Sequence, residues 1–232
     1  MTDPFLAVQE RHASGPGSLE MAGPLVQALR VRPGMRVLEV GAGSGQVAAV
    51  LARHWAVSVV ALEPWHGGEG VQAFAEREGV WAHVLALKTL AQELPFADAS
   101  FDAVLSIGSF EMIGADRPRA LAEMVRVARP GAGVGIAEPM CLPDDMPDGT
   151  RALDRALGLG FETLFRTVEW NRALFAAAGL DVSDARYFAD AFPWWAAYAA
   201  EGRISPGEVQ LIAHDAGRWL SLGMVVGWKR PV

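Results

Sequence analysis

The sequence predicts one α/β domain. Its sheet should have seven strands, mostly parallel, with helices on both faces, an antiparallel last strand and a helical lid insertion. Two observations predict this fold. Short apolar runs alternate with amphipathic stretches up to residue 139, as in successive βαβ units. The chain has 232 residues, 51% of them hydrophobic, which suits one substantial core better than two equal domains.

Composition narrows the classes of partner. The formal net charge is −7 and there is no Lys/Arg-rich run, which argues against nucleic acid, because phosphate binding needs a clustered basic face. Cys141 is the only cysteine, so an intrachain disulfide and a Cys-rich metal site are excluded. The sequence shows neither a signal-peptide pattern nor an apolar run of transmembrane length. We therefore expect a cytoplasmic monomer or homodimer with no metal and no membrane partner.

A glycine turn near residue 41 organises the first half of the chain. The apolar run 37–40 is typical of a buried parallel strand and ends in Gly41, Gly43 and Gly45, after which a helical pattern begins. Strand, turn and helix N-terminus together make a place where a ligand can lie against bare backbone. Glu39 interrupts the apolar run. Because an unpaired buried carboxylate is costly, we expect Glu39 to contact a ligand.

The remaining elements follow from the same patterns. Strands are predicted at 57–62, 80–87, 101–107, 134–137, 181–188 and 219–229. Helices are predicted at 19–30, with Ser18 as N-cap, and at 71–77, 117–128, 152–164, 168–178 and 206–217. The stretch 192–198 is too apolar for a free loop, so we expect it to fold back as a lid or a wall.

Four motifs follow one another in this framework. They are Val37-Leu-Glu-Val-Gly-Ala-Gly-Ser-Gly45, Val60-Ala-Leu-Glu-Pro64, Leu94-Pro-Phe-Ala-Asp-Ala-Ser-Phe-Asp-Ala-Val104 and Glu123-Met-Val-Arg-Val-Ala-Arg-Pro-Gly131. Together they resemble the class I S-adenosylmethionine-dependent methyltransferases, in particular the group with small-molecule substrates. The resemblance covers nearly half of the chain and implies a Rossmann-like fold that binds S-adenosylmethionine. It divides the single domain into an N-terminal helical cap (1–32), a cofactor-binding core (33–139), and substrate-side helices with a closing hairpin (140–232).

The resemblance also assigns residues to the cofactor. The glycine turn would approach its methionine part, Glu39 would fix its amino end, and Glu63 would accept hydrogen bonds from the ribose hydroxyls. Relatives usually carry an acidic residue where this chain has Leu90, so backbone groups there would hold the adenine. The predicted cofactor contacts are Glu39, Gly41, Ala42, Gly43, Gly45, Glu63, Pro64, Trp65, Leu90, Ala91, Gln92, Ser106, Ile107 and Gly108.

Substrate and catalytic residues are less sharply indicated. The predicted substrate contacts are Phe110, Met140, Trp194, Trp195 and Tyr198, although at least one of the aromatic residues would be expected to belong to the core. Glu138, His12 and His214 are candidate general bases. Glu138 should close the fifth strand and point into the mouth of the site, whereas a lone histidine is more often a surface residue.

These observations predict transfer of a methyl group from S-adenosylmethionine to a small, partly apolar acceptor, by O- or N-methylation. Proximity and alignment of the reactants would account for most of the rate enhancement, because the cofactor already carries an activated methyl group. Two alternatives stay open, together with an RNA methyltransferase, which the acidic composition disfavours. One is a non-catalytic module that binds S-adenosylmethionine. The other is an NAD-dependent dehydrogenase, although its Gly-x-Gly-x-x-Gly spacing is not matched and Glu39 would have no role there.

Overall fold

The computed structural model describes residues 3–8, 15–65 and 68–231. It contains a seven-stranded sheet in the order β3-β2-β1-β4-β5-β7-β6. The strands are β1 (Arg36–Val40), β2 (Ser58–Leu62), β3 (Val84–Leu87), β4 (Phe101–Ile107), β5 (Ala128–Cys141), β6 (Leu180–Tyr187) and β7 (Leu220–Lys229). The five strands β1 to β5 pair in parallel, and β7 runs antiparallel to both of its neighbours. The predicted fold class is therefore confirmed.

Helices cover both faces of this sheet. They are α1 (Ser18–Ala28), α2 (Gln46–Trp55), α3 (Glu69–Arg77), α4 (Arg117–Val127), α5 (Asp148–Leu157), α6 (Phe161–Leu164), α7 (Val168–Ala177), α8 (Ala191–Ala200) and α9 (Pro206–Asp215). Residues of α1, α2, α3, α8 and α9 share one apolar core, and residues of α4 and α7 share the core on the opposite face. In the ranges that the structure describes, no helix combines the length and the apolarity that crossing a bilayer requires.

Alternation along the strands explains this layering. In β1, Val37 faces the core that contains α1 and α2, whereas Leu38 and Val40 face the core that contains α4. Both faces must be apolar because both are covered, which is the usual condition of a parallel sheet. Glu39 lies on the first face and is buried there among apolar neighbours. The Glu39 carboxyl group therefore lies near the edge of the sheet at which the parallel strands end.

Several predicted boundaries are wrong. Ser18 does not cap α1: Gly17 precedes the helix with φ of 63°, and the Ser18 hydroxyl donates to Gly15 O (2.9 Å). The helix predicted at 152–164 is two helices, α5 and α6, because Gly158 and Gly160 both adopt positive φ. Strand β5 is longer than the predicted 134–137, since its register with β7 continues to Cys141.

The last third of the chain closes the sheet with a helical excursion. Helices α8 and α9 connect β6 to β7, and the indole N–H of Trp195 in α8 donates to Ser221 O in β7 (3.1 Å). Asp215, at the end of α9, accepts hydrogen bonds from the backbone N–H groups of Trp219 (3.1 Å) and Leu220 (2.9 Å). The excursion is thus tied to the strand that follows it.

Candidate functional site

The glycine turn sits where β1 ends beside β2 and β4. Gly41, Gly43 and Gly45 all have positive φ (76°, 54° and 82°). The N–H of Gly41 donates to Leu62 O (2.9 Å) across the edge of the sheet. A Cβ at Gly41 would lie 2.1 Å from the Ser109 hydroxyl oxygen, so both the backbone angle and the space require glycine there.

Two cavities meet at this turn. The smaller one, about 50 Å³, lies among Ser18, Glu39, Ala42, Gln46 and Ile107. The larger one, about 470 Å³, is of ligand size and lies among Glu63, Trp65, Leu90, Gln92, Met112 and Ile113. Gly41, Gly43 and Gly108 line both cavities. An elongated ligand that crosses the glycine turn would therefore occupy both.

Nearly all of the predicted cofactor contacts border these cavities. Every one of them except Gly45 and Ser106 lines one cavity or the other. Gly45 instead begins α2, where a Cβ would lie 2.9 Å from the Val71 backbone. Ser106 is buried, and its hydroxyl donates to Val40 O (2.9 Å), so its placement is structural. A third cavity of about 460 Å³, between residues 4–8 and helices α2 and α3, contains none of the predicted site residues.

Glu39 lies in the smaller cavity and is 2% exposed. Its Oε2 atom accepts no hydrogen bond from the described residues. Burial raises the pKa of Glu39 to about 8; a backbone hydrogen bond from Ala48 lowers this pKa and the nearby charge of Glu63 raises it. A buried acceptor without a partner, facing a small cavity beside a glycine turn, fits the ammonium group of a ligand such as S-adenosylmethionine.

Glu63 ties the end of β2 to the glycine turn. Its Oε2 accepts a hydrogen bond from the Gly43 N–H (2.9 Å), and its Oε1 accepts one from the Trp65 N–H (2.8 Å). A carboxylate offers about four lone-pair sites. The two backbone contacts thus fix the orientation of the group and are compatible with further hydrogen bonds from ligand hydroxyls at the larger cavity.

The rim of the larger cavity is apolar. Trp65, Leu90 and Met112 line it and are exposed. Leu90, Ala91 and Gln92 border the cavity. A flat aromatic ligand group would cover exposed apolar surface here, which favours binding.

Three of the predicted substrate residues lie in the core. Phe110 and Met140 are fully buried in the core that contains α4, and the Met140 sulfur packs on Gly223. Trp195 is 1% exposed and packs against Phe161 and Phe165. None of the three lines the two cavities at the glycine turn. Their placement gives no support to substrate contact.

Trp194 and Tyr198 are placed differently. Trp194 is partly buried, and its side chain lies 2.9 Å from the position that a Cβ on Gly17 would occupy. Gly17 precedes Ser18, which lines the smaller cavity, but no residue of α8 lines either cavity itself. Tyr198 is partly buried at the edge of the Trp195 cluster.

The three candidate bases do not converge. His12 lies outside the described residues. His214 is exposed at the end of α9 and packs against Gly149, away from both cavities. Glu138 is not at the end of its strand: it lies within β5, 1% exposed, beside Glu111. The expectation that Glu138 opens into the mouth of the site is wrong, since β5 continues for three more residues.

Some lining residues were not predicted. Ser18, Gln46, Ser109, Met112 and Ile113 border the cavities. The serine after Gly108 carried a weak signal, because a polar residue directly after the fourth strand lies at the ligand edge of such a sheet. Met112 and Ile113 carried none, since an apolar pair after a strand reads as core.

Two family models match parts of the chain. The model described as "Methyltransferase domain" matches residues 38–135. The model described as "Protein-L-isoaspartate(D-aspartate) O-methyltransferase" matches residues 6–65. The first match spans β1 to the middle of β5 and includes the glycine turn, Glu39 and Glu63. It favours the methyltransferase prediction over the dehydrogenase alternative.

Two curated relatives match about half of the chain. An uncharacterised protein of Mycobacterium tuberculosis (strain ATCC 25618 / H37Rv) is 38% identical over 121 residues, which is 51% of this chain and 43% of that protein. An O-methyltransferase of Pyrenophora dematioidea is 34% identical over 125 residues, 53% of this chain and 46% of that one. The aligned region therefore spans less than half of the length of either relative.

Solved structures share the whole fold. The [4+2]-cyclase SpnF superposes with a TM-score of 0.77 at 20% identity, covering 92% of this chain and 82% of that one. Geranyl diphosphate methyltransferase in complex with S-adenosylmethionine superposes with a TM-score of 0.75 at 17% identity, covering 90% and 84%. At such identities the likeness shows the fold alone. One of these two neighbours is named a [4+2]-cyclase and not a methyltransferase, so the fold by itself does not identify the reaction.

Proposed function

We propose that the protein is an S-adenosylmethionine-dependent methyltransferase that methylates a small, partly apolar acceptor at an oxygen or nitrogen atom, because residues 38–135 match the family model described as a methyltransferase domain. One observation carries the proposal. Two cavities join at Gly41, Gly43 and Gly108. The Glu39 carboxyl, whose Oε2 has no partner among the described residues, lies at one end, and the Glu63 carboxylate lies at the other. This arrangement suits a zwitterionic nucleoside that spans the glycine turn.

The residues take distinct roles. Glu39 accepts from the ammonium group of the methionine part, in a cavity that admits little else. Glu63 accepts from the ribose hydroxyls, and the rim at Trp65 and Leu90 covers the adenine. S-adenosylmethionine supplies a methyl group already activated on a sulfonium. The work left to the protein is to align the acceptor in line with the methyl group and to exclude water.

The acceptor side is built from the last third of the chain. Trp194 of α8 packs on Gly17 beside the smaller cavity. These surroundings favour an acceptor with apolar surface next to its reacting heteroatom. Neither Glu138 nor His214 is proposed as a base, because neither borders the cavities.

Binding and turnover test the proposal separately. Isothermal titration calorimetry should show binding of S-adenosylmethionine and of its thioether product S-adenosylhomocysteine, and no comparable binding of NAD. Replacing Glu63 by Ala should weaken both by about 10- to 100-fold, because hydrogen bonds to a charged group contribute about 1.5–3 kcal/mol. Asp102→Asn is a matched acidic control, since Asp102 lies at the opposite end of β4 and accepts from the Arg36 N–H (2.8 Å).

A labelled-methyl screen identifies the acceptor class. Phenols, hydroxylated terpenoids and aliphatic amines of comparable apolar area would be compared, with Trp194→Ala expected to lose turnover more than cofactor affinity. Cofactor binding without methyl transfer to any of these acceptor classes would favour a non-catalytic module. It would also be compatible with a reaction other than methylation, since one structural neighbour is named a cyclase. Tight NAD binding without a response to S-adenosylmethionine would refute the proposal.

A further inference from the structure

Three charged side chains lie together in the interior, outside the two cavities at the glycine turn, and a fourth lies at the edge of the cluster. Glu138 of β5 (1% exposed) faces Glu111 (4%) of the short 3-10 segment Glu111–Asp116 and Arg117 (1%) of α4. Arg166, before α7, lies next to Arg117. Nothing in the proposed methyl transfer uses them. Buried charges are rare unless they are paired or functional, so the cluster requires an explanation.

The cluster is not fully satisfied. Among the described residues, both carboxyl oxygens of Glu138, Oε2 of Glu111 and Nη1 of Arg117 make no hydrogen bond of ordinary geometry, although Glu138 and Glu111 lie close enough to interact with each other. Arg117 uses its Nε to donate to Gly114 O (2.9 Å), and its guanidinium stacks on Trp170. Buried groups left in this state are costly, and a structure that only needed filling would use apolar residues.

Charge balance indicates a proton. Two neighbouring buried carboxylates would face Arg117, and Arg166 is only half-buried beyond it. Glu169, the other nearby acid, lies farther out against the Tyr187 hydroxyl (3.4 Å). Two like charges in one apolar site cannot both ionise cheaply. Burial and the proximity of Glu111 raise the pKa of Glu138 well above its ordinary value, and burial raises the pKa of Glu111 to about 7.

Glu111 lies behind the larger cavity, in a segment whose neighbouring residues line it. Ser109, Met112 and Ile113 line the larger cavity, and we call residues 109–113 the wall segment. The Ser109 hydroxyl donates to Val40 O (2.8 Å) at the glycine turn. At its far end the segment kinks at Gly114 (φ 66°, ψ −126°), whose carbonyl is held by Arg117. Between these two ties, the contact from the wall segment into the charged cluster is the Glu111 side chain.

We propose that Glu111 and Glu138 share one proton, and that this proton holds the wall segment in the position that binds the cofactor. With the proton in place, Glu111 rests on Glu138 and Met112 and Ile113 line the cavity. When the second carboxyl ionises, repulsion drives Glu111 toward solvent and displaces the wall segment with it. Glu111 and Glu138 are therefore positioning residues, and the inference rests on the proposed cofactor site.

Glu138→Gln tests the pair, because a neutral amide keeps the shape of the protonated acid. Dissociation constants for S-adenosylhomocysteine would be measured from pH 6 to pH 9 for the natural chain and the variant. At pH 6 the two should agree within about twofold, and at pH 9 the variant should bind about tenfold more tightly, since it has lost the ionisation that opens the wall. The ratio of the two constants removes the pH effects of Glu39, which both proteins share.

Two further variants sharpen the result. Glu111→Gln should reproduce the effect, because either amide removes the repulsion. Asp181→Asn is the control, because Asp181 is exposed, pairs with Arg230 and lies in β6. The ratio of the dissociation constants of the natural chain and of Asp181→Asn should therefore stay constant with pH. A ratio that stays constant with pH for Glu138→Gln and Glu111→Gln as well would overturn the proposal and leave the cluster with a structural role.

Hydrogen exchange separates this inference from the proposed function. At pH 9 the amides of residues 109–116 should exchange faster in the natural chain than in Glu138→Gln, and at pH 6 the two should match. If no nucleoside binds at any pH, the proposed function fails while the exchange comparison still decides the role of the pair. Equal exchange at both pH values would refute the shared-proton wall. Circular dichroism confirms that each variant is folded.

Discussion

Glu39→Gln should stabilise the protein and weaken its cofactor binding at the same time. The Glu39 carboxyl is buried, and Oε2 lacks a partner among the described residues. Burial raises its pKa from 4.5 to about 8. A glutamine amide has the shape of the protonated acid but cannot ionise. The substitution therefore removes the energetic cost of that pKa shift while it leaves the packing nearly unchanged.

The size of the effect follows from linkage. As the pH rises above 4.5, the unfolded chain releases the Glu39 proton while the folded chain retains it up to about pH 8, so stability present below pH 4.5 is lost in this interval. Each pH unit in the interval costs about 1.4 kcal/mol. From pH 5 to pH 8 the natural chain should lose about 3.5 kcal/mol of unfolding free energy relative to Glu39→Gln, slightly less than three full units because titration is incomplete near both pKa values.

Urea unfolding at pH 5, 6.5 and 8 measures this difference. Comparing the two proteins at each pH cancels the contributions of every other titrating group, and comparing the pH values cancels any constant effect of the amide. Parallel stability curves for the two proteins would refute the reasoning, because they would show that Glu39 has the same pKa in the folded and unfolded chains. A curve in which the natural chain gains stability with pH would refute it more strongly.

Calorimetry provides the second half of the prediction. If Glu39 accepts from the ammonium group of the cofactor, Glu39→Gln should weaken S-adenosylhomocysteine binding by about 10- to 100-fold, the value of a charge-assisted hydrogen bond. At pH 7 binding to the natural chain should also release close to one proton, visible as a dependence of the heat on buffer ionisation enthalpy. Unchanged affinity with no proton release would remove Glu39 from the cofactor site.

Two further substitutions separate site from core. Gly41→Ala should abolish cofactor binding and lower the unfolding free energy by about 2 kcal/mol or more, because its Cβ would meet the Ser109 hydroxyl at 2.1 Å. Gly34→Ala is the control: Gly34 has φ of 82° but nothing within 4 Å of its Cβ position, so the loss should be only the backbone strain of about 1–2 kcal/mol. Equal losses of stability in the two variants, with cofactor binding retained in Gly41→Ala, would contradict this. Trp195→Ala should lower the unfolding free energy by about 3–5 kcal/mol, whereas the exposed Trp81→Ala should change it by less than about 0.5 kcal/mol. A Trp195 variant of natural stability with a raised KM for acceptor would instead place this residue in the substrate pocket.

The cofactor half of the site could be predicted because the residues that form it are close together in the sequence. Glu39, the glycine turn and the start of α2 are consecutive, so strand, turn and helix follow from apolar pattern and glycine spacing alone. Glu63 could be placed because it ends the next strand, and the ends of neighbouring parallel strands share one edge of the sheet. The contact of Glu63 with Gly43 bears out that geometry.

The substrate half could not be predicted in this way. Trp195 is indistinguishable in sequence from Trp194, yet one is buried against Phe161 and Phe165 and the other packs on Gly17. Which of two adjacent aromatic residues faces inward depends on the direction from which α6 and α1 approach α8. No local pattern encodes that direction.

Glu138 shows the same limit within a strand. Its sequence neighbours suggest a strand end, since Pro139 follows directly, but pairing with β7 carries the strand on to Cys141 and leaves the carboxyl in the interior. The sequence by itself determined the order of the elements, the glycine turn and the two acids that flank it, because these depend on residues close together in the chain. Only the tertiary structure decided that Glu111, Glu138 and Arg117 share one buried cluster, because a long-range strand pairing and the packing of the 3-10 segment under α4 bring them together.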